Sequence, residues 1–277
     1  PRFLKGMYMS VLLVVCNWVH PLLQSPSCCK ALKETGIDAL QLALGPAGEG
    51  FPLSSPDVRR QWKEEAGLYG IRLSAVAVLD VLEHGMTAEP GSGRRAAAEK
   101  AIAAAVDCAA DMGIPQIVLP SFKASAIRSK DDLRETARCL RLACALAKHR
   151  GVAVATENLL DATAMKSLLN IVGYDNLCSC LDLSHFVLRG REDVFEALPE
   201  LLAACCGVHL KDGMYCEPGV RPLGEGSCRV GELLAALKRE GYDGALFLEN
   251  RYMEPVFGPD PLYALRRDAE YVRQAFL

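Results

Sequence analysis

The sequence predicts an α/β chain folded as a single (β/α)8 barrel domain over residues 1–277. Three observations carry this prediction. Buried apolar runs alternate with helical stretches eight times, and no composition break divides the 277 residues. The length sits close to that of known barrels of this class. Acids, histidines and a lysine appear together just where apolar runs of the C-terminal half end, and loops fixed by a parallel sheet present chemistry there. An open doubly wound sheet is the alternative, but no GxGxxG follows the first strand.

Taken in order, residues 7–15 form the first strand, and residues 27–35 a helix stopped at Gly36. Residues 37–44 alternate into the second strand. Ser55-Pro56-Asp57 opens a helix running to about Leu68, with Pro56 at its first position. Gly70 precedes strand three over 71–79. Gly91-Ser-Gly93 is a loop before an alanine-rich helix over 94–112, closed by Gly113. Strand four lies in 115–120. The helix over 130–150 opens on Asp131 and Asp132 and closes on Lys148, His149 and Arg150, as the helix dipole favours. Strand five spans 152–156, a short helix 162–171, strand six 177–183, and a helix containing Pro199 spans 194–204. Strand seven covers 207–210, a helix 230–240, strand eight 245–248, and a final helix 260–276.

Composition narrows the function. Hydrophobic residues make up 51% of the chain and charged residues 23%, an ordinary globular balance. A net charge of −3 gives no broad basic footprint for nucleic acid or anionic membrane. Arg2 and Lys5 before an apolar run imitate a leader peptide, but no small-x-small site follows, so the run reads as a strand. No stretch approaches the ~20 apolar residues of a membrane span. The twelve cysteines include no CxxC pair, so they read as small buried hydrophobes of a reduced, cytoplasmic protein.

The strand ends from the fifth onward carry Glu157, then Asp182 with His185, then His209 with Lys211 and Asp212, then Glu249. Adjacent parallel strands lie about 4.8 Å apart, so these groups can converge on one rim. Three carboxylates together repel unless a cation sits among them. Three oxygen donors and one imidazole nitrogen suit one hard divalent ion, Mn2+ or Mg2+ first, with Co2+ or Zn2+ as alternatives. Taken singly, each acid could instead cap a helix or pair with a basic residue. Lys211 lies two residues past His209 and shares its inward face. A substrate contact and a salt bridge to a rim acid are both open to it. Arg221 and the glycines of Gly224-Glu-Gly226 sit in the seventh loop, where barrels often hold phosphate, with a plain turn as the alternative.

Five segments, Ala155-Thr-Glu157-Asn, Leu181-Asp182-Leu-Ser-His185, Val208-His209-Leu-Lys-Asp212, Gly224-Glu-Gly226 and Phe247-Leu-Glu249-Asn, together resemble the sugar phosphate isomerase/epimerase family. That family has the xylose isomerase-like TIM barrel fold and includes the ketose 3-epimerases. The resemblance covers roughly residues 150–252. It implies Glu157, Asp182, His209 and Glu249 as metal ligands, with Glu157 and Glu249 also the acid and base. It further implies His185 and Arg221 as substrate contacts. Gln41 stands where many relatives have an acid, and Thr163 where ketose 3-epimerases often place a glutamate.

The expected activity is thus a metal-dependent isomerisation or epimerisation of a sugar, sugar phosphate or related polyol through an enediolate. Two other readings remain. One is a zinc phosphodiesterase of the apurinic-site endonuclease type, which needs several more histidines than the five present. The other is a sugar-binding barrel without turnover. A homo-oligomer is expected only on the general ground that barrels often pair through their outer helices.

Overall fold

The computed structural model describes residues 11–190, 194–214 and 217–276. Among the described residues there are ten strands: β1 (Leu12–Cys16), β2 (Ala39–Ala43), β3 (Arg72–Ala77), β4 (Gln116–Pro120), β5 (Ala153–Glu157), β6 (Leu177–Asp182), β7 (Cys205–Leu210), β8 (Asp212–Met214), β9 (Glu217–Arg221) and β10 (Ala245–Leu248). Eight of them close into a parallel barrel in the order β1-β10-β7-β6-β5-β4-β3-β2, while β8 and β9 form a separate hairpin. The helices are α1 (Cys28–Leu32), α2 (Pro56–Tyr69), α3 (Val81–His84), α4 (Gly93–Met112), α5 (Lys130–Ala147), α6 (Ala162–Val172), α7 (Leu183–Leu188), α8 (Val194–Leu202), α9 (Val230–Arg239) and α10 (Pro261–Phe276). The alternation expected from the sequence is therefore present, and the first expected strand overlaps β1, its residues 7–10 lying outside the described range.

The chain divides into two compact units. The first holds residues 42–63 and 74–180. Its centre is the β4–β5 ladder, five register pairs from Gln116↔Ala153 to Pro120↔Glu157. Next to it, β5 meets β6 from Val154↔Leu177 to Glu157↔Cys180. The helices of this unit start on side-chain caps: Ser92 accepts from Arg95 N–H, Ser129 from Asp132 N–H and Asp161 from Ala164 N–H. Arg95 is buried on α4, where Glu99, Glu135 and the carbonyls of Met86 and Ala88 satisfy it.

The second unit comprises the described residues of 2–41, 64–73 and 181–277. Here β10 lies between β1 and β7, with Phe247 opposite both Val14 and His209. The Phe247 ring stands edge-on to the His209 imidazole, with centroids 5.0 Å apart. A Cβ on Gly207 would meet that ring at 2.4 Å, so β7 needs glycine at this point.

Among the described residues nine cysteines outside disulfides are buried, as small hydrophobes should be. Cys178 and Cys206 differ from the expectation of free thiols, since both are disulfide-bonded. Among the described residues no helix is long and apolar enough to cross a membrane.

Candidate functional site

In the first unit, Glu157 ends β5 and is buried, and its carbonyl accepts from Ser121 N–H at 2.7 Å. Asn158 follows at once. Its amide reaches the Thr156 hydroxyl and its oxygen accepts from Leu160 N–H, which turns the chain out of the strand.

In the second unit, β6, β7 and β10 deliver four polar side chains to one cluster. Asp182 is fully buried, and its Oδ1 accepts from His185 N–H at 3.2 Å. That bond caps α7, a short helix where the sequence suggests continued strand over Leu183. Asp182 Oδ2 faces Lys211 Nζ at 2.8 Å and His185 Nδ1 at 3.5 Å. Glu249 Oε2 faces the same Nζ at 2.5 Å and His209 Nδ1 at 3.3 Å. Its other oxygen, Oε1, accepts from the Trp18 indole N–H at 3.2 Å. Burial pushes the Glu249 carboxyl up, but the Lys211 and His209 charges and their hydrogen bonds outweigh it and hold it well below the usual carboxylate range.

The cluster thus brings together Asp182, His185, His209, Lys211 and Glu249. Of the two readings left open for Lys211, the salt bridge to a rim acid is present, and to two acids rather than one. The cation between Asp182 and Glu249 is the chain's own ammonium. Among the described residues no three His, Cys, Asp or Glu groups stand at metal-holding spacing. The donor set nevertheless suits a divalent ion, because two carboxylate oxygens already face a positive charge and an imidazole nitrogen lies against one of them.

Arg221 lies elsewhere, at the end of β9. Its Nε faces Met214 Sδ at 3.2 Å, and one terminal nitrogen donates to the Val220 carbonyl. The glycines of the seventh loop form a turn closed on the chain itself. The amides of Gly224 and Gly226 donate to Asp212 Oδ2 at 2.9 and 3.0 Å, and those of Gly213 and Cys228 to Oδ1 at 2.8 and 3.0 Å. A loop of converging amides is an anion nest, and here a buried aspartate fills it, so these amides are not directed at a phosphate. A Cβ on Gly226 would lie 2.2 Å from Asp212 Oδ1, which explains the glycine.

Behind this loop, Asn250 Oδ1 accepts from Asp212 N–H while its amide donates to Asp268. Asp268 also accepts from the Tyr252 hydroxyl and from Leu223 N–H. Nothing in the sequence marks Asp268, one of two acids on the last helix. Nothing local ties Trp18 to its partner Glu249, a residue 231 positions later.

Comparison with known proteins agrees with this architecture. Residues 29–275 match the xylose isomerase-like TIM barrel family. The chain is 31% identical over 242 residues to a 2-epi-5-epi-valiolone 7-phosphate 2-epimerase of Actinoplanes sp., covering 87% of this chain and 86% of that protein. Its fold resembles that of a D-psicose 3-epimerase from Clostridium cellulolyticum H10 crystallised with D-tagatose, with a TM-score of 0.76, 16% identity and coverage of 96% and 99% of the two chains. It also resembles the 3-keto-D-glucoside 4-epimerase YcjR of E. coli, with a TM-score of 0.75, 17% identity and coverage of 96% and 100%. The chain belongs to the xylose isomerase-like TIM barrel family.

Proposed function

We propose that the protein is a divalent-metal-dependent epimerase of a sugar, sugar phosphate or related polyol, working by proton transfer next to a carbonyl. The observation that carries this reading is the meeting of Asp182 and Glu249 on the Lys211 ammonium at two strand ends, with His209 from a third strand against Glu249. The 31% identical relative, an epimerase by name and one of a 7-phosphate, supports the reaction class and makes phosphorylated ketones the first substrates to try.

Asp182, His209 and Glu249 would hold the ion, and Mn2+ is the first to load. When bound, such an ion supplies positive charge beside the substrate oxygen on which negative charge develops. The remaining chemistry belongs to the side chains. Glu249 is held ionised and steered by the Trp18 N–H, and it removes the proton from the carbon next to the carbonyl. Return of a proton to the opposite face of the resulting enediolate inverts the centre, the role the family resemblance gives to Glu157. Return to the neighbouring carbon instead would interconvert aldose and ketose. His185 and Lys211 offer hydrogen bonds to substrate oxygens, and Arg221 serves the far end of the substrate. A cytoplasmic location agrees with substrates of this kind.

The test is exchange of the carbon-bound proton in deuterated water, followed by NMR with ketoses, ketose phosphates and cyclic polyhydroxy ketone phosphates. Wild type should exchange one such proton in a substrate that it also epimerises. Glu249→Gln should lose the exchange while keeping the wild-type circular dichroism spectrum. A folded Glu249→Gln variant that still exchanges would remove the proposal.

A further inference from the structure

Each acid of the cluster uses one oxygen to fix itself and turns the other toward Lys211. Asp182 spends Oδ1 on the α7 cap, and Glu249 spends Oε1 on Trp18. Oδ2 and Oε2 then meet the lysine Nζ at 2.8 and 2.5 Å. The lysine backbone is anchored too. Its N–H donates to Ser184 Oγ at 3.3 Å, and its carbonyl accepts the Ser184 hydroxyl. Its side chain is only 10% exposed, so the ammonium is built into the site rather than resting over it.

We infer that Lys211 is the built-in counter-ion of this site, a positioning residue that holds Asp182 and Glu249 together in the metal-free protein and sets the affinity for a divalent ion by competing with it. The inference rests on the metal-dependent function proposed above. Two carboxylates this close and this shielded from water repel one another unless positive charge lies between them. An ammonium suits an interim role, because it is a compact charge on a flexible four-carbon stem that can swing aside. A guanidinium would instead grip carboxylates through its planar fork and yield less readily. An entering divalent ion has to displace Lys211 Nζ or sit against its charge. In a partly dry site either penalty amounts to about tenfold in affinity or more.

Mn2+ titrations by calorimetry, with melting curves of metal-free and Mn2+-loaded protein, test this on wild type, Lys211→Met, Lys211→Gln and Lys211→Arg. The Met and Gln variants should bind Mn2+ about tenfold tighter than wild type. Their metal-free forms should melt at lower temperature, so that loading raises the melting temperature by more than in wild type. Lys211→Arg keeps the charge and should bind no tighter than wild type. Equal or weaker binding by both neutral variants, with wild type binding normally, overturns the role of Lys211 and leaves the metal site standing. Failure of wild type and every variant to bind Mn2+, Co2+ or Zn2+ removes the metal-dependent function and this inference with it.

Discussion

Asp212→Asn isolates the buried aspartate that closes the seventh loop. The residue is fully buried, and its two oxygens accept four backbone N–H groups at 2.8–3.0 Å. Asparagine is nearly isosteric but offers only one acceptor oxygen. Whichever way it is turned, two of the four amides lose their acceptor and face an NH2 group instead. Each buried donor left unmatched costs about 1–3 kcal/mol, and hydrogen bonds to a charged acceptor lie at the upper end. The loop can relax in part, so the expected loss is roughly 3–5 kcal/mol. In a chain of this size that lowers the melting temperature by on the order of 10 °C. Urea unfolding followed by circular dichroism should show a lower midpoint at unchanged slope. Asp131→Asn is the control, since Asp131 is 83% exposed and pairs across the helix surface with Arg134, and its midpoint should stay near wild type. An Asp212→Asn midpoint equal to that of the control would refute the account of this loop.

Further outcomes follow from the same geometry. Gly226→Ala should unfold or displace the seventh loop, because the new methyl would lie 2.2 Å from Asp212 Oδ1 and 2.5 Å from the Gly213 carbonyl; limited proteolysis should cut the variant there and spare wild type. Gly67→Ala should stabilise by about 0.5–1 kcal/mol in thermal unfolding, since Gly67 lies inside α2 with open space where the Cβ would go. Trp18→Phe should slow proton exchange about tenfold with little change in melting temperature, because it removes one hydrogen bond to a charged acceptor. Asp268 has its carboxyl pushed up by burial, against the hydrogen bonds from Asn250, Tyr252 and Leu223 N–H and the Arg267 charge. A raised folded-state value favours the folded protein at low pH and is lost as pH rises through it. Asp268→Asn should therefore be most destabilised relative to wild type in acid and less so toward neutral pH; a difference that does not vary with pH would contradict this.

Legibility of the chain in the sequence followed the range of the interactions. The eight barrel strands and the long helices were readable because their signals are local: periodicity in α5 and α9, Pro56 at the start of α2, Gly113 after α4. The helix α7 was not, since Cys-Leu-Asp-Leu-Ser-His reads as a continuing apolar run. It turns only because the Asp182 carboxylate takes the His185 N–H. The β8–β9 hairpin was hidden for a similar reason, its register being set by Asp212 and the loop amides rather than by alternation. Glu157, Asp182, His209, Lys211 and Glu249 were picked out from their places at strand ends, and within the second unit Lys211 pairs with Asp182 and Glu249, and Glu249 with His209. The Trp18 partner of Glu249 was out of reach, because it joins through a contact between distant parts of the chain, and so was Asp268 beneath the seventh loop. The role of Gly224 and Gly226 depended on which anion faced their amides, and a glycine pattern does not specify that.

The central claim, that the Asp182, His209 and Glu249 cluster is a divalent-ion site, is tested most directly by the metal content of protein loaded with Mn2+ and then desalted. Wild type and Asp182→Asn should be compared, the asparagine keeping a side-chain oxygen to cap α7. The account predicts about one ion per chain in wild type and almost none in the variant. Equal metal in both, or none in wild type after loading with Mn2+, Co2+ and Zn2+, would contradict it.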